Sequence, residues 1–133
     1  MTQYAIYFMQ QWVGDHPAEW YQTRVQPSTA VVAEMEAAGV LVFAGGLVED
    51  MEQAFSADGT SGTMVVTDGP YTEVTEYLGG ITIIEVPDIE TAKMWAARVA
   101  EGCGWPQEVL EIKKIADAGR SDGPGRPTAR PSR

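Results

Sequence analysis

The sequence predicts an α+β fold in which a largely antiparallel sheet is covered on one face by two helices. Two observations carry this expectation. Four short runs, Tyr4 to Met9, Val40 to Ala44, Ile81 to Val86 and Val109 to Ile115, are rich in β-branched and aromatic residues and bounded by turn residues. In two stretches between them, apolar residues recur instead at helical spacing.

The first strand, Tyr4 to Met9, is apolar on both alternating faces, with Tyr4, Ile6 and Phe8 on one and Ala5, Tyr7 and Met9 on the other. Gln10 to Pro27 reads as an irregular connection with a short helical turn at Pro17 to Tyr21, and it carries Trp12, His16, Trp20, Tyr21 and Arg24. A helix is expected from Ser28, which can cap it; Val31, Val32, Met35 and Ala38 form its stripe and Gly39 its left-handed stop. The strand Val40 to Ala44 ends at Gly45-Gly46. An acidic connection then leads to a hairpin turned by Ala57-Asp58-Gly59, with Phe55 expected to face Met64 across it.

The strand Thr63 to Thr67 runs into Asp68-Gly69-Pro70-Tyr71, then Glu73, Glu76 and Gly79-Gly80 before Ile81 to Val86. Asp88 caps a second helix, whose Ala92, Trp95, Ala96 and Val99 fall at i, i+3, i+4 and i+7; Gly102 and Gly104 are expected to stop it. Strand, helix, strand, hairpin, strand, helix, strand is a ferredoxin-like sandwich with a β-hairpin insertion. Because three strands are apolar on both sides, the face away from the helices needs cover, and a second copy laid sheet against sheet supplies it. The expected assembly is a homodimer.

At 133 residues the chain forms one domain, residues 1–116, followed by a basic tail, 117–133, expected to be disordered. The net charge is −10; the tail carries +2 of it, leaving −12 on the body. An acidic body repels phosphate backbones, which argues against direct nucleic-acid binding. The single Cys103 excludes an internal disulfide. With no basic-apolar leader and no apolar run of membrane length, a cytoplasmic protein away from the membrane is expected. No dinucleotide fingerprint or Walker loop opens either helix, and carboxylates without a neighbouring histidine make a poor transition-metal site, so neither cofactor nor metal is expected.

Asp68-Gly69-Pro70-Tyr71, with Glu73, Glu76 and Gly79-Gly80 leading into a strand, resembles the signature of the YCII-related proteins, in particular the subgroup named for an Asp-Gly-Pro-Phe motif, with Tyr in place of Phe. The likeness runs from about Tyr4 to Ile115. It implies a dimeric α+β barrel with a cleft at the dimer's sheet face, and an active-site role for Asp68. Many of these proteins carry a histidine at the start of the first helix, where this chain has Ser28.

Asp68, at a strand end before a tight turn, suits acid or base work if a cleft desolvates it; otherwise its carboxylate fixes the turn through backbone N–H groups. His16, the sole histidine, is the one side chain whose ordinary pKa lies near neutrality, and an Asp68–His16 pair would suit proton transfer. Glu73 belongs to the motif and joins Tyr71, Ser28, Trp12 and Arg24 as a candidate binding residue; an acidic rim pairing with Arg24 or Arg98 is its plainer role. Two function classes follow. One is a cofactor-free isomerase or lyase acting through Asp68. The other is a non-catalytic dimeric module that binds a metabolite or a regulatory partner, which the resemblance links to sigma factors of the extracytoplasmic-function type.

Overall fold

The computed structural model describes residues 1–70 and 76–115. Tyr71 and Glu73 of the motif, and the expected tail, lie outside them.

Strand β1, Thr2–Met9, leads through a 3-10 turn, Gln10–Val13, into helix α1, Ala18–Ala37. Strand β2, Leu41–Gly46, a 3-10 turn, Met51–Gln53, and the hairpin strands β3, Phe55–Asp58, and β4, Val65–Asp68, follow. Strand β5, Leu78–Val86, helix α2, Ile89–Cys103, and strand β6, Glu108–Glu111, complete the order. The main sheet runs β2-β5-β1-β6, antiparallel throughout, with β3 and β4 in a separate two-stranded sheet. This is the ferredoxin-like order with the hairpin inserted between β2 and β5.

The core forms where one sheet face meets both helices. Tyr4 and Ile6 of β1 and Ile84 and Val86 of β5 pack with Val31 and Met35 of α1 and Ala92, Trp95 and Val99 of α2. Each Ile, Val or Met among them contributes roughly 1.5–3 kcal/mol by leaving water. In the strand register, Ala5 and Tyr7 oppose Ile83 and Ile81, with Phe43 and Leu110 flanking them. By alternation these residues occupy the other face, where Phe43 is 53 % and Leu110 62 % exposed.

Helix α1 departs from the sequence expectation. It begins after Pro17 rather than at Ser28 and absorbs most of what read as a connection. Pro27 lies inside it, where a proline lacks the N–H for one helical bond and costs about 3 kcal/mol. Ser28 is therefore interior, not a cap. Its hydroxyl donates to Arg24 O at 2.7 Å, and that of Thr29 donates to Val25 O at 2.7 Å. Packing outweighs the local penalty: a Cβ added at Gly102 of α2 would lie 2.9 Å from both Pro27 O and Val31 Cγ2, so the two helices cross almost in backbone contact there. Gly102 thus belongs to the helix crossing, and Gly104, at φ 94°, ends α2.

Other boundaries shift as well. Asp88 caps α2 as expected, accepting from Thr91 N at 2.8 Å. Gly79-Gly80 falls inside β5 because Phe8 pairs with Gly80 and its ring occupies the space a side chain would fill. Phe55 opposes Asp68, not Met64, because the loop joining β3 to β4 takes in Met64 and the ladder starts at Asp58 and Val65. The last strand is shorter than expected, ending at Glu111. Among the described residues no helix is long and apolar enough to cross a membrane.

Candidate functional site

A cleft of about 430 Å³ opens between α1 and the helix-covered face of the sheet. Val31, Val32 and Met35 of α1 form one wall, Ile6 and Phe8 of β1 another, and Val99 and Cys103 of α2 close the inner end. Gly46 and Gly80, which pair across β2 and β5, leave its floor free of side chains. The polar groups are few: Ser28 and Thr29 on the helix, Thr82 on the sheet, and Trp105 and Gln107 on the connection into β6. An apolar cavity with sparse, localised polar groups is the usual form of a small-molecule site.

Trp105 Nε1 and Gln107 Nε2 are shielded from water and have no hydrogen-bond acceptor among the described residues. A buried donor left without an acceptor costs about 1–3 kcal/mol, so both groups are poised to gain from a partner. The indole is held edge-on to Phe8 at 5.1 Å between ring centroids. Ser28 lines the same cleft with its hydroxyl proton committed to α1 carbonyls, so it offers lone pairs. Burial pushes the Cys103 thiol above its ordinary value, with the Arg24 guanidinium pulling the other way. The cleft wall thus disfavours negative charge. Trp105 and Gln107 are the residues that sequence reasoning missed. Neither sits in a motif, and their burial arises only when the β6 connection folds against Phe8.

The sequence-predicted residues do not gather in one place. Ser28 lines the cleft. Arg24 lies behind its inner end, with Nη1 3.5 Å from Gly102 O and the guanidinium carbon 5.9 Å from the Trp20 ring centroid, and its Nε is buried without an acceptor among the described residues. His16 stacks on Trp20 at 3.6 Å between centroids, its Nε2 lies 2.9 Å from Val13 O, and Tyr21 stands edge-on to it. Trp12, half-buried in the 3-10 turn, does not line the cleft. Arg98 pairs with Glu34 across the two helices.

Asp68 ends β4 on the hairpin and is exposed. It does not line the cleft, and no hydrogen bond or ion pair among the described residues joins it to His16. The turn after it is held by other groups. Gly69, at φ 90°, donates its N–H to Ala54 O at 2.7 Å, and Ser56 Oγ donates to Gly69 O at 3.2 Å. The Asp68 carboxylate accepts no hydrogen bond among the described residues and is spare to the scaffold. Nor do three His, Cys, Asp or Glu side chains gather among the described residues in a way that would hold a metal ion.

None of the curated proteins compared with the chain matches it. Residues 11–113 match the model of the YCII-related domain, a span holding both helices, five of the six strands, the cleft-lining Ser28, Trp105 and Gln107, and Asp68. The chain belongs to the YCII-related family.

Proposed function

We propose that the chain binds a small, mostly apolar molecule in the cleft between α1 and the sheet. The observation that carries this reading is the composition of the cleft: about 430 Å³ walled by aliphatic side chains and floored by Gly46 and Gly80. For scale, a dry cavity of roughly 150 Å³ admits benzene. Filling the cleft tests the reading. Val32→Phe should retain the fold and lose the stabilisation that small aromatic compounds give the wild-type chain in thermal melts. Equal stabilisation of both proteins would place binding elsewhere.

A second reading rests on Asp68. A carboxylate that the turn does not use is available for chemistry, so Asp68 is proposed as the acid/base group of a cofactor-free isomerase or lyase, with Tyr71 and Glu73 of the same sequence motif as candidate binding residues. His16, tied to Val13 O and stacked on Trp20, is not required by this proposal. The motif residues Asp68-Gly69-Pro70-Tyr71 support membership of the Asp-Gly-Pro-Phe subgroup. The open sheet face bearing Phe43, Ile83 and Leu110 supports a homodimer that pairs as an α+β barrel. An unpaired Cys103 suits the reducing cytoplasm.

A further inference from the structure

We infer that the cleft recognises a neutral carbonyl compound, the oxygen of which accepts from Trp105 Nε1 and Gln107 Nε2 while its apolar body lies along Val31, Val32 and Met35. The inference rests on the cleft being the binding site and names the chemistry it selects. Indole N–H is a donor only, and the amide nitrogen of Gln107 carries two donors, so these two cleft-lining side chains ask for an acceptor. Both nitrogens lack one among the described residues. Trp105, held against Phe8, sets the position of the oxygen; Gln107, with three side-chain torsions, adapts its amide to it.

Neutrality follows from what is missing in the lining. Among the described residues no Lys or Arg lines the cleft, and Arg24 behind it faces Gly102 O and Trp20 instead. A carboxylate would enter without a paired cation in the described lining, against a chain of net charge −10. Among the lining residues no Asp or Glu would pair with a cationic ligand either. A carbonyl oxygen takes the two donors without bringing a charge into the cleft.

Three probes of similar size separate the possibilities: acetophenone, benzoate and ethylbenzene. Binding to the full chain is followed by titration, reading the Trp105 indole N–H in proton–nitrogen NMR spectra and the methyl groups of Val31 and Val32 in proton–carbon spectra. Acetophenone is expected to bind at least fivefold more tightly than either other probe and to move the indole proton downfield. Trp105→Phe and Gln107→Leu should each remove most of that preference, read as the ratio of acetophenone to ethylbenzene affinity within the same variant. Equal binding of acetophenone and ethylbenzene at the cleft methyls, or tighter binding of benzoate, would overturn the inference while keeping the cleft as a site. If all three probes leave the Val31 and Val32 methyls unmoved, the cleft reading fails and the inference with it.

Discussion

Asp68 shows how a residue can be conspicuous in sequence and uncommitted in structure. Because Ala54 O and Ser56 Oγ hold the Gly69 turn, Asp68→Ala should change stability by less than about 0.5 kcal/mol in urea unfolding. Ser56→Ala should cost roughly 0.5–1.5 kcal/mol. If Asp68 is an acid/base group, Asp68→Asn abolishes turnover of a substrate and His16→Ala does not; undiminished turnover in Asp68→Asn would end that role. Cys103 makes a second prediction. Its folded pKa is raised, so its contribution to stability is complete below the ordinary thiol value of 9.0 and is lost as pH rises through the higher folded value. Cys103→Ala should flatten the alkaline fall of the melting temperature, and iodoacetamide should label the native thiol severalfold more slowly than it labels the unfolded one. The motif residues were legible because turn chemistry is local. Trp105 and Gln107 were not, since nothing in a Trp-Pro-Gln stretch states which atoms the fold will bury.

At the scale of elements, α2 was read almost to the residue and α1 was not. In α2 the cap Asp88, the stripe Ala92, Trp95, Ala96 and Val99 and the left-handed Gly104 all act within one segment. The first half of α1 has no apolar stripe, and Pro27 followed by Ser28 is the local signature of a helix start. Only the crossing with α2 explains why the helix runs through. Gly102→Ala should therefore separate the helices at Pro27 and Val31 and cost about 1–3 kcal/mol, because the atom opposite is backbone and cannot turn aside. A thermal midpoint equal to wild type would show that the crossing relaxes freely. The same reasoning explains β5. The glycines at its start looked like a turn, yet their lack of side chains is what lets Phe8 lie over the strand, and a Gly80→Val substitution should disturb both the Phe8 packing and the cleft floor.

For the whole molecule, binary patterning gave the order of elements along the chain and the two-faced sheet, since each apolar run had to find cover. What it could not give was the side on which the cleft opens, which depends on three-dimensional gaps between Phe8, α1 and a glycine floor. The open face yields the prediction at this scale. Sedimentation equilibrium at micromolar concentration should give twice the 14.4 kDa chain mass, and Phe43→Glu with Leu110→Arg should return it to a monomer without loss of the fold. A wild-type chain that stays at 14.4 kDa as concentration rises would rule out the pairing. Since the described core is complete by β6, a chain ending at Ile115 should keep its melting midpoint within the equivalent of about 1 kcal/mol.

The sheet order also sets a timetable for synthesis. β1 lies at the centre of the sheet, but its partners are β5, where Thr2 meets Val86, and β6, where Tyr4 meets Glu111. At roughly 5–20 residues per second on the ribosome, β1 waits on the order of 4–15 s for β5 to emerge. During that interval Ile6 and Phe8 have only α1 to shelter against, and the nascent N-terminal half is a natural client for chaperones. Such distant pairings slow the search for the native state. A nascent chain stalled before Leu78 should accordingly be digested by protease as readily as an unfolded one, and resistance should appear only once β5 has cleared the exit tunnel.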